Sequence, residues 1–218
     1  MTSYSQSKED VLMYEKFFKH YKQDGQKYFF EMGAIDGVMY NNTKYYEDTH
    51  GWTGILVEGN PFAFTNLVMN RPKCKLISAV VSDSSVPLKF TICANVPAVC
   101  SVKNTQPESF ENEYYRHSRM VEMEAIPVTL DSIIKKSGCP RIDLAVLDVE
   151  GHELNVLNSY VFKNQKVPVI SWLIETFDPL DENNKIKTYM EDKGYECMGN
   201  VAHNAFFIHK QYKHLFGL

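Results

Sequence analysis

Acidic side chains, several beside a glycine, recur along the chain, each group following a short apolar run. The first is Glu31-Met32-Gly33-Ala34-Ile35-Asp36-Gly37, the second Val57-Glu58-Gly59-Asn60-Pro61 and the third Val80-Val81-Ser82-Asp83. The fourth is Leu147-Asp148-Val149-Glu150-Gly151-His152-Glu153, and a fifth run ends in Glu175, shortly before Asp178. Glycines at 33 and 37 let the backbone approach a bulky ligand, and Glu58, 27 residues beyond Glu31, is spaced to accept from the two hydroxyls of a ribose. Asp83 is suited to accept from an adenine amino group. The pattern describes a pocket for an adenosine, with Glu31, Gly33, Asp36, Gly37, Glu58, Asp83 and Asp148 as candidate cofactor contacts. It is not GxGxxG, and Asp36 would repel a pyrophosphate while tolerating a cationic ligand such as a sulfonium with its amino group.

The fourth and fifth groups carry the candidate catalytic residues, Asp148, His152 and Glu175. A carboxylate directly after a buried strand is costly unless a ligand, metal or hydrogen-bond donor compensates it. Asp148 has a plainer reading as the cap of a following helix, and Glu150 and Glu153 as first-turn acids favoured by the helix dipole. His152 has the titration range for proton transfer. Asp148, Glu175 and Asp178, with His152, offer hard oxygen donors and an imidazole suited to Mg²⁺ or Mn²⁺, without a fixed ligand spacing. Candidate contacts to a second substrate are Tyr114, Tyr115, Arg116 and Arg119, together with His203 and Asn204 near the last strand.

These groups must be held by regular elements. Apolar residues spaced by three and four from Gln6 to about Tyr21 predict an amphipathic helix within the first 25 residues. Apolar runs then alternate with helical patterns: Tyr28 to Glu31, Thr53 to Glu58, Lys75 to Val81, Asp143 to Asp148 and Val169 to Thr176. Helices are expected at Asn42 to His50, from Pro61 with Asn60 as its cap, at Leu130 to Ser137, and at His152 to Ser159. Continuous apolar strands are buried on both faces, so the pattern is that of an open, mainly parallel α/β sheet covered by helices on both sides. Weaker strands are expected near Val86 to Thr91 and Ala125 to Thr129. Between them, Cys93 to Glu124 is polar and irregular, an insertion suited to reading an acceptor. Tyr195 to His209 predicts two strands around a turn at Gly199-Asn200. With no linker or repeat, residues 1–218 read as one domain.

At this level of detail the chain resembles the FkbM-type S-adenosylmethionine-dependent methyltransferases. The likeness begins with Ser5-Gln6 and Glu9-Asp10, then runs through ExGAxDG at Glu31 to Gly37, VEGNP at Val57 to Pro61, VSD at Val81 to Asp83 and VTLDSI at Val128 to Ile133. It is strongest in IDLAVLDVEGHELNVLN, Ile142 to Asn158, and leaves out about Cys93 to Glu124. The resemblance implies a seven-stranded Rossmann-like class I methyltransferase with one antiparallel strand near its C-terminus. It also implies S-adenosylmethionine as cofactor and methyl transfer to a hydroxyl, typically of a sugar or glycan. Gly59 stands where the family often has proline, and Val146 where many members have lysine, so no role of that lysine carries over.

Composition narrows the alternatives. Of 218 residues 44% are hydrophobic and 23% charged, which excludes disorder and supports a sizeable core. A net charge of −4 with scattered acids argues against a nucleic-acid or anionic-membrane surface. Five cysteines without a CxxC pair suggest reduced thiols, and the polar start and short apolar runs suggest a cytoplasmic protein without a membrane span. The sequon Asn41-Asn42-Thr43 is discounted accordingly. Two other readings use the same residues: a nicotinamide-dependent oxidoreductase, disfavoured by the missing glycine and Asp36, and a catalytically silent adenosine-binding module.

Overall fold

In the computed structural model, which describes residues 2–105, 111–116, 118–176, 180 and 184–218, the apolar runs become the centre of a sheet. The first three strands are β1 (Tyr28–Met32), β2 (Thr53–Glu58) and β3 (Lys75–Ser78). The chain then leaves for a separate antiparallel sheet of β4 (Leu88–Cys93), β5 (Ser101–Val102) and β6 (Met120–Ala125). It returns through β7 (Leu144–Leu147), β8 (Ser171–Glu175), β9 (Tyr195–Val201) and β10 (Asn204–His209). The main sheet has seven strands in the order β3-β2-β1-β7-β8-β10-β9. Neighbours from β3 to β8 run parallel, and β10 is antiparallel to both β8 and β9. This is the expected α/β architecture.

Two cores follow from the two-residue period of the strands. Phe30, Ile55, Val57, Ala145, Leu147 and Trp172 bury one face. Against it pack α4 (Leu130–Lys135), α5 (Glu153–Asn158) and α6 (Lys185–Asp192) through residues such as Ile133, Val156 and Met190. The alternate residues Phe29, Leu56, Leu144, Val146 and Leu173 face the other way. There they meet α1 (Glu9–Lys16), α2 (Lys44–His50) and α3 (Pro61–Asn70) through Met13, Tyr45, Tyr46 and Leu67. Glu31 and Glu58 share the parity of Phe29 and Leu56, and Glu175 that of Leu173. The strand-end acids therefore project to one side of the sheet.

Several boundaries differ from the sequence expectation. The first helix ends at Lys16 and continues as a tight turn at Phe18–His20, while Asp10 accepts from the amides of Tyr4 (2.7 Å) and Val11 (2.7 Å) and ties down the preceding segment. The last hairpin turns at Ala202-His203, with Ala202 at φ 53°, rather than at Gly199-Asn200. Gly199, at φ 96°, instead lies where the β9–β10 register shifts, so its conformational freedom serves a bulge. The Cys93 to Glu124 insertion is less irregular than expected, because its Ser101–Val102 (β5) and its last residues in β6 both pair with the preceding β4, β6 in register from Leu88↔Ala125 to Cys93↔Met120. Beyond β6, Val128 makes only a bridge to Val81. Helix α6 was not among the expected elements. Among the described residues, no helix is long and apolar enough to cross a membrane.

Candidate functional site

The order of the sheet reverses between β1 and β7, and an open α/β sheet forms its crevice at such a point, outside the carboxyl ends of the strands. Gly33 makes the crevice possible. It sits at φ 83°, and a Cβ there would lie 1.8 Å from the carbonyl oxygen of Asp148. The glycine thus lets the ends of β1 and β7 close on each other, backbone to backbone.

The loop after β1 is held by buried polar groups. Glu31 accepts from the Asn42 amide at 2.7 Å and the Thr43 hydroxyl at 2.5 Å, and burial pushes its carboxyl up to about 7. Arg71, fully buried at the end of α3, donates to the Gly37 carbonyl (3.0 Å) and the Asn41 side chain (2.8 Å) and pairs with Glu47. Asn41 is 1% exposed, so the sequon belongs to this packed loop. Glu58 accepts from the amides of Ile35 (2.8 Å) and Asn60 (2.7 Å), and burial pushes it too up to about 7. Asn60 caps α3 as expected, accepting from Phe62 at 3.0 Å.

A first cleft, about 830 Å³ of space open at its mouth, is lined by Glu31, Gly33, Glu58, Asp148 and His152 and floored by apolar Val80, Val81 and Phe90. Three expected contacts stand apart from it. Asp36 folds back on its own loop, accepting from Val38 (2.9 Å) and Met39 (2.7 Å) in an Asx turn. Gly37 packs against α3, where a Cβ would meet Arg71 and Leu67 at 2.5 and 2.6 Å. Asp83 is exposed and accepts from Asn155 at 3.1 Å; its neighbour Ser82 turns inward instead and meets His152 Nε2 at 3.0 Å. Burial holds the His152 imidazole down at about 4, so it is neutral at pH 7.

A second cleft continues from the first, and Gln6, Tyr40, Asn42, Asp148, Glu150 and Glu175 line both. Here the acids crowd together: carboxylate oxygens of Asp148, Glu150 and Glu175 lie within 4.8 Å of one another. Burial raises all three, and their mutual repulsion raises Glu150 and Glu175 further. Glu175 lies close to Asp148; burial and that neighbour's charge push it up to about 11, and its Oε2 is buried without a partner. Glu150 sits at φ 56°, unusual for a non-glycine residue, and Glu153 holds that bend by accepting from the amides of Val149 and Gly151, both at 3.1 Å. Glu153 is therefore committed to its own loop.

Of the acceptor-side candidates, Tyr114, His203 and Asn204 line the second cleft. Tyr115 does not; its hydroxyl meets Ser101 Oγ at 2.9 Å and the Val99 carbonyl at 3.0 Å, anchoring the insertion to β5. Arg116 is exposed and lines neither cleft, and Arg119 borders a different groove with Phe62 and Val121. Asp178 lies outside the described residues. Sequence reasoning missed Arg71, Asn42 and the inward turn of Ser82, and it named Gln6 and Glu9 only as part of a motif. Four of the buried side-chain atoms without a partner belong to residues that line these clefts: Asn42 Oδ1, His152 Nδ1, Glu175 Oε2 and Asn204 Oδ1.

The seven-stranded, mainly parallel sheet with its crevice at the switch point is a Rossmann-like α/β fold. The family model described as the methyltransferase FkbM domain matches residues 31–197, and the chain belongs to that family. The match spans the insertion at 93–124, which the motif resemblance leaves out, and begins after the Ser5-Gln6 segment. No curated protein matches the chain.

Proposed function

We propose that this methyltransferase uses S-adenosylmethionine to methylate a hydroxyl oxygen, that of a sugar or glycan. The observation that carries the reading is the joined cleft itself, with Glu58 at its closed, apolar-floored half and Asp148 beside Glu175 at the junction with its polar half. Each Glu58 oxygen spends one lone pair on a backbone amide and keeps capacity for a ribose hydroxyl. Val80, Val81 and Phe90 offer an apolar bed for the adenine, and the acids at the junction suit the cofactor's positive charge. Asp36, Gly37 and Asp83 are left out of this assignment because their groups are engaged elsewhere. The amides and hydroxyl of Gln6, Asn42, Asn204 and Tyr114 suit a polyhydroxylated acceptor.

Methyl transfer is an in-line displacement. The acceptor oxygen forms a bond to the methyl carbon, the carbon–sulfur bond breaks with its electron pair going to sulfur, and the acceptor proton passes to a carboxylate. Asp148, its carboxylate close to Glu175, suits that task better than His152, whose burial makes it a weak base. The remaining requirement is alignment and the exclusion of water, for which the cleft between the main sheet and the β4–β6 sheet is shaped.

Calorimetry with S-adenosylhomocysteine and with NAD, followed by methyl-labelled S-adenosylmethionine and a glycan panel, tests the reading. Homocysteine-product binding, no NAD binding and an alkali-stable methyl ether on a sugar are expected. NAD binding alone would make the protein an oxidoreductase, label on nitrogen would change the acceptor class, and product binding without transfer to any acceptor would leave a binding module.

A further inference from the structure

The described residues at the junction of the two clefts hold an excess of hydrogen-bond acceptors. Asp148, Glu150 and Glu175 bring carboxylate oxygens within 4.8 Å of one another. Asn204, 5% exposed, stands directly across the β8–β10 ladder from Glu175, so the two side chains leave the sheet on the same side, and both line the second cleft. The side-chain oxygen of Asn204 has no partner, and neither does Glu175 Oε2. A proton shared between Glu175 and Asp148 would reduce their repulsion and occupy a Glu175 oxygen, but would leave the Asn204 oxygen unmatched. A cation satisfies the carboxylates and the amide oxygen together.

We propose that Asp148, Glu150, Glu175 and the Asn204 side-chain oxygen bind a divalent cation with hard-oxygen preference, Mg²⁺ or Mn²⁺, where the acceptor meets the methyl group. Around such an ion, adjacent oxygens stand ~3 Å apart and opposite ones ~4.2 Å, given metal–oxygen distances of about 2.1 Å. The carboxylates need only small side-chain movements to reach this geometry. Among the described residues these four oxygens fill four of six positions, and the remaining two suit neighbouring hydroxyls of a polyol. The ligand set differs from the one expected from sequence: Glu150 and Asn204 take the places given to Asp178 and His152. His152 lines only the first cleft and spends Nε2 on Ser82. The inference deepens the proposed reading of the same site and rests on it for the identity of the acceptor.

The test is Mn²⁺ binding to the chelator-treated full chain, followed by electron paramagnetic resonance, with and without S-adenosylhomocysteine. One site is expected, retained when the homocysteine product is bound. Glu150→Gln should weaken Mn²⁺ at least ~10-fold with a circular dichroism spectrum and cooperative thermal unfolding like the parent's, which report that the variant is folded. Asn204→Asp adds a charged oxygen at the same position and should tighten Mn²⁺. No Mn²⁺ binding by protein that binds the product would overturn the site. So would displacement of Mn²⁺ by the product, whose ammonium would then be the cation the acids await, or binding indifferent to both substitutions, which would mark an adventitious ion. Mn²⁺ bound as expected, with no product binding, would sustain the site and overturn the cofactor reading instead.

Discussion

The carboxylates on the β1–β2 side of the cleft and those on the β7–β8 side are the same chemistry in opposite states of completion. Glu31 and Glu58 have each oxygen engaged by a backbone amide or hydroxyl from the loops they organise. At the other side, Glu175 keeps one buried oxygen unmatched and faces Asn204 in the same condition. The first arrangement is preorganised, its groups fixed before a ligand arrives. The second remains incomplete until a proton, a cation or an acceptor supplies what the fold does not. The difference suggests how one crevice divides its work: a rigid half that recognises a cofactor and a reactive half whose charges do the chemistry.

The sharpest way to break this division is to neutralise the reactive half. Asp148→Asn should lower turnover by about 10²–10⁴-fold with the fold retained, measured as initial rates beside circular dichroism. A rate within a few-fold of the parent would take proton transfer away from Asp148. Next is the scaffold of the rigid half. Arg71→Ala leaves the partly buried Glu47 without its cation and the buried Gly37 and Asn41 acceptors without their donor, so denaturant unfolding should show a loss of about 3–5 kcal/mol. A loss under 1 kcal/mol would mean that the loop after β1 does not depend on that network.

Smaller effects sharpen the contrast within the rigid half. Glu58→Ala should weaken S-adenosylhomocysteine by about 1–3 kcal/mol, since the ribose hydroxyls lose their acceptor. Asp36→Ala, which opens only an Asx turn, should change that affinity by less than about 0.5 kcal/mol; equal losses in the two variants would erase the distinction drawn between them. The buried acids also set a pH dependence. Glu31, Glu58 and Glu153 are raised from 4.5 to about 7, so the folded protein holds protons that the unfolded chain has released. Their contribution to stability is full below the unfolded value and is lost as pH rises through the folded one. The raised Asp148, Glu150 and Glu175 act in the same sense, and His152, lowered, acts in the opposite one. The melting temperature of the ligand-free protein should therefore fall between pH 5 and pH 8, and a rise across that interval would contradict the burial of these acids.

What the sequence determined by itself is local and periodic. Continuous apolar runs such as Leu144–Leu147 must be buried on both faces, which dictates a parallel sheet with helices on either side. The run-ending acids then fall at the carboxyl edge, and Asn60 before Pro61 specifies a helix start. Tertiary structure decided which polar groups remain available, because that depends on partners far along the chain. Asp36 and Asp83 look like Glu31 and Glu58 in a list of motif acids, but one closes its own turn and the other faces solvent beside Asn155. Asn204 carries no motif at all. It becomes a candidate ligand only because the β8–β10 register sets it opposite Glu175 and leaves its oxygen buried with nothing to accept from, a juxtaposition made by an antiparallel pairing across 29 residues of chain.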